Sequence, residues 1–141
     1  GRGLERRGVH AGRPGRPAHR WLSWWADPRR FGALRWTDAE GRLPAVILVH
    51  GGCWEVKLRN PPEGLTSFEL LRPMAAALAK VGIATWNIEY RRIGSQGGGY
   101  PATFLDASAA VDAVPADAAK YGLDLHHVLA VGHSAGGPLA L

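Results

Sequence analysis

Three stretches of the chain, residues 45–50, 83–90 and 127–132, are almost continuously apolar and rich in β-branched side chains. A strand with one face in water alternates polar and apolar positions, so unbroken runs of this kind predict strands buried on both faces of a parallel sheet. Between the first two runs, Phe68, Leu71, Met74, Ala75 and Leu78 recur at spacings of three and four. They predict a helix capped by Ser67 that runs to about Val81 and stops at Gly82, with Pro73 marking a kink or the true start. Between the second and third runs, Phe104, Ala107, Val111 and Val114 predict a second inward-facing stripe on a helix that begins after Pro101. Pro115 ends or kinks this helix, and residues 116–121 can resume it. Strand, helix, strand, helix, strand is the pattern of a parallel α/β sheet with right-handed crossovers.

Upstream the pattern is less regular. Residues 31–37 predict a short strand that ends in a turn at 38–41. Trp21, Trp24 and Trp25 form an aromatic cluster that either lines a substrate pocket or caps the core. Residues 1–20 are rich in Gly, Arg and Pro with little apolar content, a composition that predicts a disordered basic tail followed by a folded unit over residues 21–141.

Charge changes little in this picture. The net charge of +5 sits in the tail: Arg2, Arg6, Arg7, Arg13, Arg16 and Arg20 face only Glu5 there, which leaves 11 of the 17 basic and 11 of the 12 acidic side chains to the rest. The tail carries no interleaved aromatics and no nucleic-acid motif, so a nucleic-acid partner is not expected. A non-catalytic chain that binds nucleic acid or anionic surfaces through this tail is nevertheless the alternative function class. One cysteine, Cys53, excludes an internal disulfide and a cysteine metal cluster, and it fits a reducing cytoplasm. The apolar runs are far shorter than the roughly 18–20 residues of a membrane span, so no membrane association is expected. The only methionine is Met74, and Gly1 is therefore not expected to be the natural start.

The candidate chemistry lies at the ends of two of the apolar runs. Gly132-His133-Ser134-Ala135-Gly136 follows the third run and precedes a helix-forming stretch. A serine on a sharp strand-to-helix turn projects its hydroxyl above the sheet, and small neighbours let the backbone pass close by. The following helix end and the Ala135 N–H then face the oxyanion that forms on attack. The plainer reading is a β-to-α turn with a capping serine. His50-Gly51-Gly52-Cys53-Trp54 ends the first run, where two glycines free the backbone to turn its N–H groups toward a ligand; alone it could be an ordinary turn. Cys53 as a nucleophile has no support from its surroundings in the sequence.

These two motifs, in this order and spacing, resemble the α/β-hydrolase family. Within it they resemble the esterase and amidase branch with an HGG-type loop, which includes hormone-sensitive-lipase-like esterases and kynurenine formamidase. Glu89-Tyr90-Arg91-Arg92, then Tyr100-Pro101-Ala102 and Asp106, are similar to the family's exit from the second of these strands, its loop and the following helix. The resemblance runs from about residue 28 to the end, and Cys53 in place of a third glycine is closer to the formamidase-like members.

The resemblance implies an incomplete α/β-hydrolase fold in which strand 45–50 lies between the other two. It implies Ser134 as nucleophile, and an oxyanion hole from backbone N–H groups at Gly51, Gly52, Cys53 and Ala135. No cofactor and no metal are implied, and the partner is a small-molecule ester or amide, such as an N-formyl amide. The family's acid and histidine follow the serine, whereas seven residues follow it here, so the chain is expected to stop just after the elbow and to be inactive alone. None of His10, His19, His50, His126, His127 and His133 is placed to serve as base. Asp106 and Asp112 read as helix residues, Asp106 being tied to the loop after Tyr90. Acyl and leaving-group preference, and the oligomeric state, are left open.

Overall fold

The structure is a computed structural model that describes residues 17–23, 30–37, 41–55 and 66–141. Five strands, β1 (Pro17–Ser23), β2 (Phe31–Thr37), β3 (Leu43–Val49), β4 (Ala84–Ile88) and β5 (Leu123–Gly132), form one sheet in the order β1-β2-β4-β3-β5. The three apolar runs are the parallel strands, with β3 between β4 and β5 as expected. β1 and β2 add an antiparallel edge, β2 pairing with β4 from Gly32 opposite Ile88 to Arg35 opposite Thr85.

Helices cover both faces. On one face lie α1 (Ser67–Leu70) and α2 (Arg72–Lys80), where Leu71 and Ala75 close over Leu48. On the other, α3 (Ala102–Asp112), α4 (Val114–Ala118) and α5 (Gly137–Ala140) cover Ala45, Ile47, Val49, Trp86 and Ile88. This second cluster is the main core, and the indole N–H of Trp86 donates to the carbonyl of Ala110 across it at 2.9 Å.

Several expectations need correction. The tail boundary at residue 20 is too late, because residues 17–20 already belong to β1. Pairing with β2 orders them, Trp21 packs its ring on Phe31 and Phe68 with centroids 5.3 and 5.7 Å away, and the Arg20 guanidinium donates to the Tyr121 hydroxyl. Trp21 is thus a half-buried aromatic packed on this pair of rings; Trp24, Trp25 and residues 1–16 lie outside the described residues.

The first helix is capped by Thr66, one residue before Ser67, through a capping box with Glu69. It breaks at Leu71, where Pro73 sits in the first turn of α2 and a proline costs no helical hydrogen bond. Its inner face is small: Ala75 and Ala79 are buried, letting α2 approach the sheet closely, while Met74 points out.

The second helix is rotated from its expected stripe. Thr103, Asp106, Ala107 and Ala110 face inward, and Phe104 and Val111 are exposed. Asp106 turns it, because its buried carboxylate accepts from the Arg91 backbone N–H and guanidinium and pairs with Arg30 at 2.8 Å. A buried charge left without these partners would cost several kcal/mol, more than exposing one Phe or Val, so the ion pairs set the rotation.

The third apolar run is longer than expected, starting at Leu123, and it is not buried on both faces. Leu125, Val128 and Leu129 are exposed, because β5 is the sheet edge and pairs only with β3 among the described residues.

Candidate active site

Parallel pairing places the C-terminal ends of β3 and β5 side by side, with Val49 opposite Gly132. Each strand runs directly into one of the two motifs. The chain leaving β5 turns at once: the His133 N–H donates back to the Val49 carbonyl at 3.0 Å, and residues Ser134–Gly136 form a 3-10 turn that continues into α5.

Ser134 sits at the tip of this turn, exposed, with φ of 54°. The left-handed region is unfavourable for a residue with a side chain, costing about 1–3 kcal/mol, and persists only where the surroundings enforce it. Among the described residues the non-glycine positions with positive φ are Cys53, Trp54 and Ser134, all in these two motifs. The backbone strain among the described residues is therefore concentrated here.

The two motifs touch. A Cβ on Gly51 would lie 2.6 Å from the His133 carbonyl oxygen, 3.0 Å from the Ser134 Cβ and 3.2 Å from the Ala135 nitrogen. A Cβ on Gly136 would lie 2.2 Å from the Val49 carbonyl oxygen. No larger residue fits either position without moving backbone. Gly51, Gly52, Cys53, Ser134 and Ala135, the residues singled out from the sequence, are thus brought to one place. Cys53 is exposed on the turn.

Trp54 was not among the expected site residues. It holds the two motifs together: its indole N–H donates to the Ala135 carbonyl at 2.5 Å, and its own carbonyl accepts from the Ile93 N–H at 2.6 Å. Its ring lies edge-on to Phe104, with centroids 6.0 Å apart, which gives the outward rotation of Phe104 a use. The only sequence signal was its adjacency to the glycines.

Beneath the Gly51 turn lies a buried polar cluster. The His50 ring is fully buried, with Nε2 2.6 Å from a Glu89 carboxylate oxygen and Nδ1 2.9 Å from the Gly51 carbonyl oxygen. Glu89 also accepts from the Arg92 guanidinium at 2.7 Å and from the Tyr90 N–H at 3.0 Å. Burial raises the Glu89 carboxyl, but hydrogen bonds and charge from His50 and Arg92 outweigh it and hold the group below the usual carboxylate range. The Tyr90 ring stacks on His50 at 4.2 Å, and its hydroxyl donates to the His50 carbonyl at 2.7 Å. Burial, then the Glu89 charge, pushes the Tyr90 phenol far above its ordinary range, so the hydroxyl remains a donor.

Several of the remaining histidines and acids are placed or engaged elsewhere. His127 sits on exposed β5, five residues before Gly132 and about 16 Å away at strand rise, paired with Asp124. His133 is exposed beside the serine, and Asp106 is committed to Arg30 and Arg91. Asp112 is exposed at the end of α3. Among the described residues no group of three His, Cys, Asp or Glu side chains could hold a metal ion, and no helix is long and apolar enough to cross a membrane.

The geometry has known counterparts. The BD-FAE family model matches residues 36–141, well over half of the chain. A bacterial heroin esterase is similar with 25% identity and a TM-score of 0.68 over 88% of this chain and 37% of its own. Esterase B from Lactobacillus rhamnosis is similar with 26% identity and a TM-score of 0.70 over 86% of this chain and 37% of its own. A hyperthermophilic esterase from the archaeon Pyrobaculum calidifontis is similar with 29% identity and a TM-score of 0.62 over 78% of this chain and 33% of its own. The chain thus spans little more than a third of the length of these structures, and no curated protein matches it. With its mixed sheet built around three parallel strands, its strand-to-helix turn at Ser134 and a family match that takes in both motifs, the chain belongs to the BD-FAE family and has the α/β-hydrolase fold.

Proposed function

We propose that this sequence is the nucleophile-bearing part of a serine hydrolase that acts on a carboxylic ester or an amide, including an N-formyl amide. The observation that carries the reading is Ser134, held exposed in a left-handed conformation with Gly51 packed against it. The serine Oγ attacks the carbonyl carbon, the C=O pair moves to the oxygen, and N–H groups of Gly51, Gly52, Cys53 and Ala135 stabilise that oxyanion. The oxyanion then collapses back to a carbonyl, the leaving group departs with the proton that Ser134 gave up, and water resolves the acyl-serine. The structures similar to this chain are esterases, which supports the ester side of the reading.

In this reading the acid and the base are not among the described residues, and the similar structures, more than twice as long as this chain, have room for both. This chain alone is accordingly inactive in our reading. It should hydrolyse p-nitrophenyl acetate far more slowly than an intact enzyme, because even in a complete scaffold loss of triad members leaves only about 10³–10⁴ of rate enhancement over water. Turnover near the typical enzyme value of about 10 s⁻¹ that disappears in Ser134→Ala would reveal a base within the chain. Prolonged incubation with a p-nitrophenyl alkylphosphonate should place the adduct on the Ser134 peptide, and an adduct unaffected by Ser134→Ala would overturn the nucleophile assignment.

A further inference from the structure

We propose that His50 is held doubly protonated, and that it acts as a positioning residue whose buried positive charge fixes and polarises the Gly51–Gly52 peptide. The charge is argued from geometry alone; its use in stabilising an oxyanion rests on the function proposed above.

A neutral imidazole has one N–H and one lone pair. Both ring nitrogens of His50 face oxygens that only accept: the Gly51 carbonyl at 2.9 Å and the Glu89 carboxylate at 2.6 Å. Either neutral tautomer would point a lone pair at one of these oxygens in a site closed to water, a buried conflict that proteins rarely tolerate. The imidazolium satisfies both. Its flat face also lies on the Tyr90 ring, nearly parallel at 10°, where a cation is attracted by the ring's electron-rich face. The titratable and charged groups around it among the described residues are Glu89, Tyr90 and Arg92; from α1 it meets the Phe68 ring.

The charges of this cluster do not cancel. Arg92 pairs with Glu89, so a charged His50 leaves one net positive charge directly beneath the Gly51 turn. A buried surplus charge is costly in the resting protein and favourable once an anion forms nearby, where the low dielectric strengthens their attraction.

The charge also acts through the peptide it touches. The Gly51 carbonyl is held by His50 Nδ1, and the Tyr90 hydroxyl, whose one proton is shared with the nearer His50 carbonyl, lies 3.2 Å from it. In a trans peptide the N–H points opposite to the C=O, so anchoring the Gly51 oxygen in the cluster aims the Gly52 N–H away from it. A charged donor on that oxygen polarises the peptide and makes the Gly52 N–H a stronger donor.

The test is nuclear magnetic resonance on the whole chain with ¹⁵N-labelled histidine rings at neutral pH, His50 being assigned by through-space contacts to Tyr90 and Phe68. Two ring-bound protons are expected on His50, and a single one would overturn the proposal. In Glu89→Gln the ring should lose one of its two protons, and the Gly52 amide should exchange faster. A ring that keeps both protons in this variant would show that Glu89 does not hold the charge, contrary to the proposal. Should the variant fail to fold, the wild-type spectrum decides by itself. Two protons on His50 together with a phosphonate adduct that persists in Ser134→Ala would overturn the nucleophile assignment and leave the charge standing. An adduct with a singly protonated His50 would overturn only this inference.

Discussion

β3 and β5 are parallel neighbours, each apolar, and each delivers half of the candidate site from its C-terminal end, yet they are built very differently. β3 lies between two strands and under helices on both faces, with Leu48 and Val49 almost wholly buried. Beyond it, Glu89, Tyr90 and Arg92 brace the backbone at His50 and Gly51. β5 is an edge, with Leu129 62% exposed, and its elbow is tied down by the bonds from His133 to Val49, from Gly136 to His133 and from Trp54 to Ala135. The Gly51 half of the candidate site therefore rests on a finished core and the Ser134 half on an edge. An apolar edge with open hydrogen-bonding groups is a template for further strands, so poor solubility is expected of this chain alone.

The largest test of this difference is truncation of matched leucines. Leu48→Ala should cost about 2–5 kcal/mol in urea unfolding, whereas Leu129→Ala on exposed β5 should stay within about 0.5 kcal/mol. Equal losses would mean that β5 is covered in solution. Hydrogen exchange sharpens the same contrast: amides of residues 45–49 should be slowed much more than those of 132–137, and equal protection at both would contradict a more loosely held elbow.

Next is the contact between the halves. Gly51→Ala places a methyl group against the His133 carbonyl and should cost about 1–3 kcal/mol by overpacking, with Ser134 losing its reactivity toward phosphonate. Wild-type stability and labelling in this variant would show that the two motifs do not touch.

The brace under β3 should respond to acid. The folded-state carboxyl of Glu89 titrates below its unfolded counterpart, so its contribution is complete above about pH 4.3 and is lost as the pH falls through the folded-state value. One proton taken up on unfolding limits the slope to about 1.4 kcal/mol per pH unit, and Glu89→Gln should flatten that part of the stability profile. An unchanged acid limb would remove Glu89 from the account.

The smallest expected effect is on the staple. Trp54→Phe keeps the ring and loses one hydrogen bond, worth about 1 kcal/mol, and should speed amide exchange at Ala135 and Gly136 while leaving Leu48 and its neighbours unaffected. Slower exchange at the elbow would show that the bond strains the turn.

The sequence by itself determined the three parallel strands, the two glycine-containing motifs and their order, because continuous apolar runs and backbone-permissive residues are local properties. It also tied Asp106 to the loop after Tyr90. Only the tertiary structure decided the rest. The burial of β5 depends on what lies beside it, which its own residues do not encode. The rotation of α3 was set by Asp106 meeting Arg30 and Arg91, and the start of β1 by pairing with β2, both contacts between segments distant in sequence. Trp54 and His50 carry no local sign of their roles, since a hydrogen bond across 81 residues and an imidazole between a carbonyl and a carboxylate exist only once the chain has folded.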